Sequence, residues 1–327
     1  MRIRLLTPPG GDPRSGNSVT AARWAGLLGE LGHEVSRGED WQGEACDALI
    51  ALHARRSHAA IARFRQARPQ APLVVALTGT DLYADLPESA EARQSVEIAT
   101  RLVVLQPLAL KRLPAAARDK AHVIYQSATA PAAERAGGDA PFRICVLAHL
   151  RAVKDPLRAA YAARELPAAS RIEVAHAGAA LSGDWAEAAR AEQARNPRYR
   201  WLGDLPHAEG LRLLAGSRAL AVSSRLEGGA NAISEAAAAG VAVLASRIEG
   251  NVGLLGEDYE GYFPCEDTAA LRALLLRAEQ DAAFLARLRA QGERLRPHIT
   301  PAAERDAWRR LLAALAAPPE RQGRARP

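Results

Sequence analysis

The stretch Met1–His33 reads MRIRLLTPPGGDPRSGNSVTAARWAGLLGELGH. Ile3–Thr7 is a short apolar run, the next ten residues are dense in glycine and proline, and Val19–Leu31 repeats apolar residues at helical spacing. This predicts a strand, a Gly-rich loop and a helix starting near Ser18. The same alternation continues outward. Ala48–Leu52, Leu73–Thr78 and Leu102–Leu105 read as strands, and His58–Arg68 and Ala90–Thr100 as helices. Pro107–Leu113 reads as a helix with proline in its first turn, and His122–Tyr125 as a further strand. Ala128–Pro141, holding Pro131, Gly137, Gly138 and Pro141, reads as a linker. Strand and helix patterns then resume with Arg143–Ala148, Pro156–Glu165, Ile172–His176, Ala186–Arg195, Tyr199–Trp201, Ala208–Ala215, Ala219–Ser223, Asn231–Ala239 and Val241–Ser246. Asp267–Glu279 and Asp281–Arg296 follow as helices.

Repeated strand–helix alternation specifies parallel α/β sheets. The length of 327 residues accommodates two domains at roughly 100–200 residues each. We therefore expect an N-terminal domain over 1–138, a second over 139–300, a helix over 301–316 capped by Thr300 that returns to the first domain, and a flexible tail over 317–327. Two doubly wound domains in series bind ligands at the carboxyl ends of their strands.

Composition narrows the function classes. Hydrophobic residues make up 48% and charged residues 24%, an ordinary globular balance. No apolar run approaches the roughly 20 residues that span a bilayer, and the first run stops at Thr7-Pro8-Pro9, too short for a secretory leader. A cytoplasmic protein without a membrane partner is expected. Cys46, Cys145 and Cys265 are odd in number and far apart, which gives neither a disulfide framework nor a metal-ligand spacing. The formal charge is +6, but only Lys111, Lys120 and Lys154 are lysines and the arginines are dispersed, so the basic excess is a compositional bias and no nucleic-acid partner is expected.

Four loops carry candidate chemistry. Pro8–Asn17 offers the amides of Gly10, Gly11, Gly16 and Asn17 at a helix entrance, where exposed N–H groups attract anions. Its glycine spacing is not that of dinucleotide dehydrogenases, and a plain chain turn is the alternative. His53, Arg55 and Arg56 end one strand, and Thr80 and Asp81 end the next. Guanidinium groups bind phosphate through charge-assisted bonds, so the arginines suit a small anion; a solvated helix start serves equally, and Asp81 is alternatively a helix N-cap. His149, Arg151 and Lys154 follow the first strand of the second domain. The densest stretch is Ser223–Ala236, SSRLEGGANAISEA, with Glu227 and Glu235 separated by seven residues, Gly228, Gly229 and Ala230 between them, and Asn231 opening a helix. Glycines admit a ligand close to the backbone, and carboxylates accept sugar and ribose hydroxyls.

EGGANAISEAAAAGVAVLAS, with the preceding WLGDLPHAEGLRLLAGSRALAVSSR, resembles the nucleotide-sugar signature of the family 4 GT-B glycosyltransferases, and the resemblance covers nearly the whole chain. It implies two Rossmann-like doubly wound domains facing a central cleft. It also implies that Glu227 contacts the donor sugar, Glu235 the ribose, and Lys154 the diphosphate. His149 stands where the family carries an arginine, with Arg151 as its substitute, and Thr80 stands where many members carry a histidine. These departures, with TPPGGDPRSGNSVTAARWAGLLGELGH, ALHARRSHAAIARFR, VALTGTDLY, RLVVLQPLAL, HVIYQSA and LAHLRAVKDPLRAA, are similar to a narrower group, the selenosugar synthases of selenoneine biosynthesis. That resemblance implies a UDP-sugar (UDP-glucose or UDP-N-acetylglucosamine) and selenophosphate as substrates, the second held by His53, Arg55, Arg56, Thr80 and Asp81, with no cofactor and no metal. An ordinary hydroxyl acceptor, a nucleotide-sugar 2-epimerase and a non-catalytic sugar-nucleotide-binding protein are the alternatives.

Overall fold

The computed structural model describes residues 1–10, 15–131 and 140–316. Gly11 and Arg14 of the first loop, the expected boundary at 138/139 and the tail 317–327 lie outside the described residues. The chain divides into two units, one of 1–104, 113–124 and the segment from Ala302, the other of 105–112 and 125–301.

In the first unit, β1 (Arg2–Leu6), β2 (Glu34–Gly38), β3 (Ala48–Leu52), β4 (Leu73–Leu77), β5 (Arg101–Val104) and β6 (Ala121–Val123) form a sheet in the order β2-β1-β3-β4-β5-β6. Every pairing is parallel. The sequences ALIAL of β3 and LVVAL of β4 are buried at every residue, as a sheet covered by helices on both faces requires. The strand β2 was not expected from the sequence: EVSRG is an edge strand with no buried residue, so no apolar run marks it. The first helix, Gly16–Glu30, starts before the expected Ser18 because the Ser15 hydroxyl accepts the Ser18 amide at 3.3 Å and caps it.

In the second unit, β7 (Phe142–Leu147), β8 (Ile172–Ala177), β9 (Tyr199–Trp201), β10 (Ala219–Val222), β11 (Ala242–Ser246) and β12 (Tyr262–Phe263) pair in the order β12-β11-β10-β7-β8-β9, again all parallel. In both sheets the chain runs to one side and then reverses, between β1 and β3 and between β7 and β10. Such reversal points leave a crevice at the strand carboxyl ends.

Two segments depart from the expected partition. Pro107–Arg112 is a 3₁₀ turn and not an α-helix: the Gln106 side-chain oxygen accepts the Leu108 amide at 2.7 Å, and Pro114 bars helical continuation. It groups with the second unit because Gly253 lets Gln106 approach so closely that a Cβ there would lie 1.7 Å from Gln106 Oε1. The segment from Tyr125 also groups there, with the Tyr125 ring stacked on His298 at 5.1 Å and the Ala128 amide bonded to the Ile299 carbonyl at 3.0 Å.

The helix Pro301–Ala316 completes the first unit's core from Ala302 onward. Trp308 packs edge-on against Trp24 with centroids 4.8 Å apart. Buried Glu304 accepts Trp24 Nε1–H at 2.7 Å and Arg23 Nε–H at 2.9 Å. Losing that carboxylate strands a buried indole donor and removes the arginine's partner. We expect Glu304→Ala to lower the urea-unfolding free energy by about 3 kcal/mol, with Glu304→Gln, which still accepts one bond, losing less.

Candidate functional site

The candidate groups of the second unit gather where β7 and β10 end. Beyond β7 the chain stays beside the loop after β8: the Leu150 amide donates to the Ala179 carbonyl at 2.8 Å, and the Ala179 amide to His149 Nδ1 at 3.1 Å. Arg151 is extended and exposed. A single 3₁₀ turn, Ala152–Lys154, then ends at Asp155, whose φ of +43° is left-handed. Such a conformation is strained for a residue bearing Cβ, and asparagine and aspartate tolerate it best. Here Arg158 grips the Asp155 carboxylate at 2.7 Å, while Ser223 Oγ donates to the Asp155 carbonyl at 2.8 Å and the Arg225 amide to the Val153 carbonyl at 2.9 Å.

That clamp aims Lys154 at Glu227, with Nζ to Oε1 at 2.5 Å. Ser224 Oγ donates to the same carboxylate oxygen at 2.6 Å, so Glu227 is fixed through one oxygen. Ser246 Oγ in turn holds the Ser224 carbonyl at 2.5 Å, and Asn251 Nδ2 holds the Ser246 carbonyl at 2.9 Å. Gly250 is required here, because a Cβ would stand 2.0 Å from the Glu227 carbonyl oxygen. The helix Asn231–Ala239 has Ala230 as N-cap with no side-chain cap bond, and a helix entrance of this kind attracts anions. One turn inside, Glu235 Oε1 accepts from His207 Nε2 at 2.8 Å.

Behind this site His176 is wholly buried, with Nε2 2.8 Å from the Ala148 carbonyl oxygen and Nδ1 2.9 Å from the Tyr199 hydroxyl. Burial pushes its imidazole down to about 4. Gly178 permits the same approach, as a Cβ there would meet Ala148 O at 1.9 Å.

In the first unit the expected groups are only partly brought together. His53, buried and left-handed at φ +72°, lies 3.1 Å through Nε2 from Thr80 Oγ1, while its Nδ1 accepts the Arg56 amide at 3.3 Å. Arg55, half exposed, pairs with Asp85 at 3.3 Å. Several of the expected groups have partners within the fold. Asp81 is wholly buried, and its carboxylate accepts the amides of Thr78, Gly79 and Ala54 at 2.9, 2.8 and 3.0 Å, tying two strand ends together. Arg56 donates to the Pro9 carbonyl at 2.8 Å and so braces the loop after β1. The Gly10 amide is taken by Glu39 at 3.0 Å, and Gly16 and Asn17 are the first two residues of the helix that Ser15 caps, at the entrance where the sequence places them.

Sequence reasoning missed Asp85, His176, Tyr199, His207, Ser224 and Gly250. Each acts on a partner distant in sequence or, for Ser224, lies inside a motif read for its carboxylates. Among the described residues no group of three or more His, Cys, Asp or Glu is placed to hold a metal ion, and no helix is long and apolar enough to cross a membrane.

Residues 133–295 match the family Glycosyl transferases group 1. Solved structures share the fold over 96% of this chain. They include Anabaena HepE in complex with UDP and glucose (TM-score 0.76, 15% identity, all of that chain) and sucrose-phosphate synthase from Thermosynechococcus elongatus (0.75, 15%, 99% of that chain). A glycosyltransferase from Rickettsia africae is similar at TM-score 0.74 and 12% identity, over 96% of this chain and 98% of that one. No curated protein matches the sequence. The chain thus has a GT-B fold of two Rossmann-like units, with the match to the group 1 glycosyltransferases carried by residues 133–295.

Because His176 is held neutral, its contribution to stability is complete above its ordinary value of 6.5 and is lost as pH falls toward 4. Urea unfolding across that window should show wild type losing up to about 3 kcal/mol more than His176→Asn. Parallel curves for the two proteins would contradict a buried neutral imidazole.

Proposed function

We propose that the protein transfers the sugar of a UDP-sugar, UDP-glucose or UDP-N-acetylglucosamine, to selenophosphate. The observation that carries the donor half is the Lys154–Glu227 contact at the joined ends of β7 and β10, beside the uncapped helix that bears Glu235. In this reading Glu235 accepts the ribose hydroxyls and Glu227 accepts sugar hydroxyls through the oxygen that Lys154 and Ser224 leave open. Lys154, the helix-entrance amides, and Arg151 or His149 offset charge on the leaving diphosphate, as preorganised donors do. The similarity to HepE, solved with UDP-glucose, supports a nucleotide-sugar donor.

For the acceptor, the first unit offers Arg55 at the carboxyl end of β3, while Asp81 and both ring nitrogens of His53 are engaged within the fold. That arrangement suits an acceptor that is already an anion. Selenophosphate is a soft nucleophile that needs no proton removed, so selenium attacks the anomeric carbon, the carbon–oxygen bond to the diphosphate breaks, and UDP leaves with the electron pair. The likeness of the unit's loops to the selenosugar synthases favours this acceptor over a sugar hydroxyl.

Mixing the enzyme with each UDP-sugar and selenophosphate should yield UDP and a selenium-bearing sugar by mass spectrometry. UDP release only with hydroxyl acceptors would assign an ordinary glycosyltransferase, and binding without turnover would assign a sugar-nucleotide-binding protein. Glu235→Ala should weaken UDP binding in calorimetry by about 1.5–3 kcal/mol, the worth of a hydrogen bond to a charged group.

A further inference from the structure

The buried pair behind the donor site has no role in the chemistry just described, yet it touches the backbone of the loop that bears His149. A carbonyl oxygen only accepts, so His176 Nε2 carries a proton and donates to Ala148 at 2.8 Å, and Nδ1 accepts from the Tyr199 hydroxyl at 2.9 Å. Both side chains are almost without exposure, at 0% and 1%. The next residue, His149, is held in the same sense: the Ala179 amide donates to its Nδ1 at 3.1 Å, which puts the proton of the neutral ring on Nε2. Ala148 and Ala179 are themselves locked together, through the Ala148 amide on the Ala177 carbonyl at 3.1 Å and the Leu150 amide on the Ala179 carbonyl at 2.8 Å. Two histidines in series are thus fixed in one tautomer each, the deeper one by a tyrosine and the outer one by the backbone it supports.

We propose that His176 and Tyr199 are positioning residues that hold the 148–150 loop so that His149 presents its Nε2–H to the donor's diphosphate. The inference rests on the donor reading above and adds which nitrogen serves and what orients it. Burial supports it by keeping His176 in its neutral, donating form at neutral pH.

The test compares UDP with uridine by calorimetry, together with nitrogen-15 NMR of the His149 ring in the full chain without ligand. Wild type should show the Nε2–H tautomer and bind UDP more tightly than uridine. His149→Ala should lower UDP affinity roughly ten-fold with uridine affinity unchanged, and His149→Arg should restore it. Tyr199→Phe, which keeps the ring and removes one hydroxyl, should leave the far-ultraviolet dichroism unchanged, turn the His149 signals into a tautomer mixture and weaken UDP but not uridine. UDP affinity unmoved in His149→Ala, or an unchanged His149 tautomer and UDP affinity in Tyr199→Phe, would overturn the proposal while leaving the donor site standing. A wild type that binds no UDP would overturn both.

Discussion

Two hydrogen bonds between segments far apart in sequence organise the candidate site of the second unit. The Arg225 amide on the Val153 carbonyl and the Ser223 hydroxyl on the Asp155 carbonyl fasten the end of β10 to the turn after β7. Without that fastening, Asp155 would have no reason to remain left-handed, and the lysine before it would follow its flexible stem into solvent. With it, a partly buried ammonium and a partly buried carboxylate face each other with little freedom. A pair so placed adds little net stability, because desolvation offsets much of the attraction. What it provides is a fixed arrangement of charge at the ends of the two strands.

The fold was legible where burial is two-sided. ALIAL and LVVAL announce central strands because every residue is apolar, and the helix Asn231–Ala239 ends at the expected residue, where the structure shows Gly240 in the left-handed conformation. EVSRG was not legible, since an edge strand can be held by backbone pairing alone, here with β1 in register from Arg2 opposite Glu34. The site divides in the same way. Glu227 and Glu235 stand out in the sequence because the first adjoins a glycine pair and the second lies one turn inside the helix that follows. At Asp81 the sequence leaves a ligand contact and a helix N-cap open, because the Ala54 amide it holds is 27 residues away and nothing local shows that the carboxylate is occupied. His176 was hidden for the opposite reason: within an apolar strand, a histidine looks like any other core residue until its two partners are seen.

The C-terminal helix has a consequence for the order in which the protein can be made. Its Trp308, Leu311 and Leu312 are part of the core that β1 and the first helix begin, with the whole of the second unit's sequence, from Tyr125 to Pro301, lying between. On the ribosome these strands therefore emerge before the second unit but meet their last packing partners only after its sequence has been synthesised. The second unit, contiguous apart from Leu105–Arg112, can close while the first still has its Trp24 face uncovered. Vectorial synthesis thus reverses the order of completion, and the unit begun first keeps an unfinished, apolar surface while the second is being made.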